Sequence, residues 1–146
     1  MPVELMLRLL DGALPIPQCR HPGDAGLDLP SRIDIIIEPG ERATVPTGLA
    51  LAIPHGYAGL VLPRSGLAAR HGIALVNSPG LIDSGYRGEV AVVLINTDKI
   101  QPFRISRGDR IAQLVIQKVE EVEVIAVDDL SDSHRGGGGF GSTGRK

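Results

Sequence analysis

Ile33-Asp-Ile-Ile-Ile37, Gly48-Leu-Ala-Leu-Ala-Ile53 and Ala58-Gly-Leu-Val-Leu62 stand in succession, with Pro39-Gly40 between the first two. Short runs of β-branched and aliphatic residues closed by Gly and Pro are the signature of strands ended by turns. The same pattern continues outward. Residues 3–10 precede it, and residues 90–95, 111–116 and 122–127 follow, punctuated by Pro22-Gly23, Pro79-Gly80, Arg87-Gly88 and Arg107-Gly108. So many short strands between turn signals predict an all-β sandwich or barrel. One segment breaks the pattern. Ser65-Gly-Leu-Ala-Ala-Arg-His71 reads as a short helix, with Ser65 placed to cap it and Gly72 to end it. Residues 120–127 are acidic and partly alternating, as a half-exposed strand would be, and 128–134 form a polar linker to a glycine-rich terminus. The predicted organisation is one β domain over residues 1–127, then a linker and mobile arm over 128–146.

Bulk composition narrows the classes. A chain of 146 residues is long enough to bury a real core. With two Phe, two Tyr and no Trp, that core must be built from Val, Ile, Leu and Ala. A formal charge of −2 gives no general attraction to nucleic acid, so a polyanionic ligand must be met by a few placed cations. The single cysteine, Cys19, permits neither an intramolecular disulfide nor a cysteine zinc cluster, and is expected to be a buried or half-buried small hydrophobe. The Met-Pro-Val-Glu start has no secretion pattern and no apolar run reaches membrane length, so a cytoplasmic protein without membrane or nucleic-acid partners is expected.

Five stretches carry chemistry. Ala25-Gly-Leu-Asp28-Leu sets one acid in an apolar run; by itself it is a strand whose aspartate faces solvent. Pro63-Arg-Ser-Gly66 puts a guanidinium and a hydroxyl beside a helix start, where free N–H groups and the helix dipole suit a phosphate. Asn77-Ser-Pro-Gly-Leu-Ile-Asp83-Ser-Gly-Tyr86-Arg-Gly-Glu89 is dense in polar groups. There Asn77 offers both donor and acceptor, Leu81-Ile82 suit a tight hairpin with its backbone edge on a cavity, and Asp83 suits a general base. Asx turns would explain Asn77 and Asp83 equally well. Arg107-Gly-Asp-Arg110 is a turn before a strand carrying one long polar residue, Gln113. Finally, Arg135-Gly-Gly-Gly-Gly-Phe-Gly-Ser-Thr-Gly144 costs on the order of 10–20 kcal/mol to order and buries almost nothing by itself. It fails as a P-loop, because Arg145 stands where Lys is required. It does, however, hold an exposed aromatic, an arginine and free backbone N–H groups, a set suited to closing over an anionic, aromatic ligand.

Together and in this order, these five stretches resemble the five motifs of trimeric dUTPases, over residues 24–144. The resemblance implies a distorted, jelly-roll (β-clip-like) domain with one short helix and a flexible glycine-rich arm, assembled as a homotrimer with shared active sites. It implies hydrolysis of dUTP to dUMP and pyrophosphate, which limits uracil in DNA and supplies dUMP for thymidylate synthesis. By the resemblance, Asp83 activates water for attack on the α-phosphorus, and Arg64, Ser65, Gly66 and Gln113 hold the phosphates. Asn77 and the backbone of Gly80, Leu81 and Ile82 read uracil, and Tyr86 packs on the deoxyribose. Phe140 stacks on the base while Arg135, Gly141, Ser142 and Thr143 reach the γ-phosphate. Mg²⁺ rides on the triphosphate, and Asp28 orients its waters.

Two alternatives share parts of this pattern. A dCTP deaminase of the same fold needs a glutamate where this chain has Val93, expected to be buried. A non-catalytic nucleotide-binding regulator would dispense with Asp83 or the arm, and both are present.

Overall fold

The computed structural model describes residues 1–146. Ten strands and one helix follow in the order β1 (Met6–Leu9), β2 (Leu27–Pro30), β3 (Ile35–Ile37), β4 (Arg42–Ala52), β5 (Tyr57–Leu62), α1 (Ser65–His71), β6 (Ile73–Leu75), β7 (Gly80–Ile82), β8 (Glu89–Asn96), β9 (Phe103–Ile105) and β10 (Arg110–Lys118). Two four-stranded antiparallel sheets, ordered β1-β4-β8-β6 and β2-β10-β5-β7, are accompanied by a two-stranded ribbon, β3-β9. The fold is a distorted jelly-roll, as expected.

Alternation drives the packing. Along β8, Val90, Val92 and Leu94 are buried while Ala91, Val93 and Ile95 face outward. They meet Leu49, Leu51 and Val45 of β4, Val61 of β5 and Ile111 and Leu114 of β10 in one continuous core without a single aromatic residue among its buried members. Each fully buried Leu or Val contributes about 1.5–3 kcal/mol relative to an exposed one. β4 pairs with β8 along Arg42–Pro46 and with β1 along Leu49–Ala52, and it bulges between Pro46 and Ala50. Gly48 takes φ +75 there, Thr47 Oγ1 donates to Val90 O at 2.6 Å, and Gly48 N donates to Glu89 Oε1 at 3.0 Å.

Several expectations need correction. Residues 120–127 form no strand, and Val122, Val124 and Ile125 are exposed. A strand needs a partner, and no edge within this chain takes this one. The first strand is shorter than residues 3–10, covering Met6–Leu9 where β4 lies alongside. The helix is capped by the extended Arg64 with no side-chain cap bond, and Ser65 is its first residue. Gly72 ends it as expected, at φ 65 with its N–H on Ala68 O. Cys19 is exposed, and Val93, on the outward side of β8, is half-buried.

Candidate functional site

Strand register assembles a first group of site residues. Across three adjacent strands, Gln113 of β10 stands opposite Asp28 of β2 on one side and Leu62 of β5 on the other. Just past Leu62, the chain turns into the helix and brings Arg64 to the same end. Arg64 Nε lies 3.4 Å from Asp28 Oδ1, and its Nη1 donates to Arg110 O at 3.1 Å. Arg110 Nη1 donates to Asp28 Oδ2 at 3.0 Å. Gln113 Nε2 donates to Pro63 O at 2.9 Å, and its Oε1 sits so close to Gly26 that a Cβ there would come within 2.6 Å. A larger residue at that position of the Ala-Gly-Leu-Asp stretch would push the Gln113 amide aside. The result is a hollow of about 420 Å³ lined by Asp28, Arg64, Arg110 and Gln113 among others. Ser65 and Gly66 are exposed beside it at the helix start. Its cations outnumber its acids.

A second group gathers at β7. This strand is not half of a local hairpin, as residues 81–82 were expected to be. It pairs with β5 at the edge of the second sheet, leaving its other backbone edge without a strand. Leu81, Ile82, Asp83, Tyr86, Glu89, Val90 and Ala91 line a cleft of about 240 Å³ beside it. Asn77 folds over Gly80, where an added Cβ would lie 3.3 Å from Asn77 Nδ2. Tyr86 Oη donates to Glu89 O at 2.9 Å, and the hydroxyl end of its ring lies against Gly88, where a Cβ would be 2.5 Å from the hydroxyl. Six side-chain ion pairs form in the chain, and all fall on Asp11, Asp28 or Glu89. Asp83 is exposed and carries none of them.

The two groups lie apart. Ile82 pairs with Gly59, so Asp83 falls opposite Ala58. Arg64 lies six residues further along the same extended run, roughly 20 Å away at about 3.3 Å per residue. The third expected group, Arg135, Phe140, Gly141, Ser142 and Thr143, lies on an arm with no strand or helix. Arg135 Nε donates to Gly138 O at 2.6 Å, Ser142 N donates to Gly139 O at 3.0 Å, and Phe140 is fully exposed. Within one chain, the three groups do not meet.

Comparison with known proteins gives the family. The family model described as dUTPase matches residues 13–144. The chain belongs to the dUTPase family. It is similar to the deoxyuridine 5'-triphosphate nucleotidohydrolase of Thermobifida fusca, 60% identical over 142 residues covering 97% of this chain and 79% of that one. It is also similar to that of Mycolicibacterium vanbaalenii, 56% identical over 149 residues covering 99% and 97%. Among solved structures, the dUTPase of Staphylococcus bacteriophage 80alpha with dUPNHPP superposes with a TM-score of 0.89 at 32% identity, covering 97% of this chain and 99% of that one. A mutant dUTPase from phage phi11 of S. aureus, described for its coordination of a structural Mg(II) ion, has a TM-score of 0.80 at 28% identity, covering 86% and 97%.

Sequence reasoning missed part of the hollow around Asp28. Arg110 and Arg20 both reach Asp28, although neither looked more than a turn or loop residue. The signal was present as one arginine inside a motif and one just before another, but a pairing that spans 82 residues is invisible until the strands are registered. No three His, Cys, Asp or Glu side chains converge as a metal cage. One carboxylate among guanidinium groups fits an ion that keeps its water shell and is held mainly by substrate phosphates.

Proposed function

We propose that this dUTP diphosphatase cleaves dUTP to dUMP and pyrophosphate by in-line attack of a water activated by Asp83, in sites shared between copies of a homotrimer. The observation carrying this reading is the contrast between the two aspartates. Asp28 is held by arginines, whereas Asp83 is exposed, unpaired and lines a cleft. A general base must be free to accept a proton from a water within about 3 Å of it. Only Asp83 meets that need. Because water is the nucleophile, the remaining work is positioning and charge stabilisation.

The cationic hollow suits the phosphates. Arg64 offers a forked donor set to them, Ser65 and Gly66 add a hydroxyl and backbone N–H groups, and the amide of Gln113 is already fixed by Pro63 O. Asp28 is the carboxylate that would hold the water shell of Mg²⁺, whose charge would offset that of the triphosphate. At the other end, the free edge of β7 presents peptide groups to the amide-like edge of uracil, and Asn77 adds a donor and an acceptor. Packing over Gly80 leaves little room for a 5-methyl group, and the ring of Tyr86, held by its bond to Glu89 O, suits a sugar lacking a 2′-hydroxyl.

A separation of roughly 20 Å between Asp83 and Arg64 is too great for one α-phosphate to engage both. Asp83 of one copy therefore serves the arginines of another. The exposed Val122, Val124 and Ile125 support assembly, as an apolar segment that finds no partner in its own chain. The arm then reaches a neighbour's site, where Phe140 stacks on the base and Arg135 with the Gly141, Ser142 and Thr143 backbone meets the γ-phosphate. Removal of dUTP limits uracil in DNA, and dUMP feeds thymidylate synthesis.

Pyrophosphate release measured in parallel with dUTP, dCTP, dTTP and UTP tests the substrate, with rapid release expected from dUTP alone. In ¹⁸O-labelled water, the label should appear in dUMP; label in pyrophosphate would mean attack at the β-phosphorus and refute the mechanism.

A further inference from the structure

Arg20 lies outside every motif and plays no part in the mechanism above, yet it reaches the phosphate hollow. Its Nε lies 3.5 Å from Asp28 Oδ2, on the carboxylate that Arg64 and Arg110 also engage. The turn carrying it is internally braced. His21 N donates to Asp24 Oδ2 at 2.9 Å, Asp24 N donates to His21 O at 3.1 Å, and Gly23 makes the bend at φ +91. Arg20 and His21 line the same hollow as Asp28, Arg64, Arg110 and Gln113. Three guanidinium groups thus face one carboxylate. Guanidinium stays charged at any physiological pH and its forked donors match phosphate oxygens. With Asp24 also on the lining, one net positive charge is left for a ligand to neutralise.

We propose that Arg20 is an additional phosphate-binding cation that engages the terminal phosphate, while Asp28 holds the three guanidinium groups in place until the anion arrives. This rests on reading the hollow as a triphosphate site. Exposure gives the order of contact. The side chain of Arg20 is 59% exposed, against 38% for Arg110 and 28% for Arg64. Arg64 is the inner cation and Arg20 the rim, so a phosphate chain entering the hollow meets Arg20 with its outer end. A monophosphate is too short to reach it.

Wild type, Arg20→Ala and Arg20→Lys are compared by calorimetry with inorganic tripolyphosphate and by steady-state kinetics with dUTP. Arg20→Ala should weaken tripolyphosphate binding and raise KM for dUTP about five- to tenfold, the effect of losing one charge-assisted contact at a rim. Its kcat should change less than about twofold and inhibition by dUMP not at all, since transition-state positioning stays with the inner residues. Arg20→Lys should recover part of the loss, and thermal unfolding should not move, because so exposed an ion pair contributes little to stability. Equal tripolyphosphate affinity in wild type and Arg20→Ala would overturn the proposal. So would a parallel fall in kcat and thermal stability, the mark of a purely structural arginine. The tripolyphosphate measurement needs no turnover. A wild type that releases no pyrophosphate from dUTP would strike the hydrolase reading and leave the Arg20 contact to be decided by calorimetry.

Discussion

Asp28 and Asp83 both lie at or beside short strands, yet their surroundings divide their chemistry. Three arginines hold one in place, and none touches the other. Asp83→Asn keeps the shape and removes the proton acceptor, so dUTP binding should persist while turnover falls by about 10²–10⁴, the usual worth of a general base. Near-normal turnover in a stopped-flow assay would take Asp83 out of that role. Gly88 acts on the site indirectly. A methyl group there would overlap Tyr86, whose hydroxyl lies 2.5 Å from the ideal Cβ position, and the ring would have to swing away. Gly88→Ala should leave the fold intact, raise KM for dUTP about tenfold, equivalent to roughly 1.4 kcal/mol, and narrow the preference for dUTP over UTP. An unchanged dUTP/UTP ratio would show that the ring does not read the sugar.

At the scale of elements, ion pairs hold separate loops together. Arg107 Nη2 lies 2.5 Å from Asp11 Oδ2, and Arg32 bridges Asp11 at 3.8 Å and Glu89 at 3.0 Å. The bond from Arg107, chiefly, holds the Asp11 carboxyl below its ordinary value. Backbone N–H groups of Gln101 and Ile100 do the same for Asp98. A depressed carboxylate stabilises the fold above its unfolded pKa, and that contribution disappears as pH falls through the folded value. Tm should therefore stay level from neutral pH down to about 4 and drop below it. In Asp11→Asn that drop should be shallower, and an unaltered acid limb in a calorimetric scan would contradict the linkage. Elements also explain what the sequence made legible. Runs such as residues 90–95 carry their alternation openly, because neighbouring strands of the same chain bury every second residue. Residues 122–127 have equally strand-like composition and form none, since propensity cannot supply a partner edge. The five motifs announced Arg64, Asn77 and Asp83 through chemistry packed into few residues. Arg20 and Arg110 stayed hidden because their meeting point is made by pairing β2 with β10.

The whole molecule raises a question of assembly. In a lone chain Asp83, past the end of β7, lies beside one end of β5, and Arg64 lies just past the other. Chains carrying Asp83→Asn and chains carrying Arg64→Ala should each form inactive trimers. Mixing them under conditions that let subunits exchange should restore a substantial fraction of dUTP hydrolysis, because some sites then combine an intact Asp83 with an intact Arg64. No recovery after verified exchange would place each site within one chain. Removal of residues 135–146 should leave a folded trimer with badly reduced hydrolysis, and full activity of the shortened protein would make the arm dispensable.

The distance between Asp83 and Arg64 also bears on how activity scales with abundance. If neither end of the subunit can work without another copy, hydrolysis per chain should fall on dilution below the trimer's dissociation range. The enzyme would then be silent as a newly made single chain and switch on only when enough copies accumulate to meet.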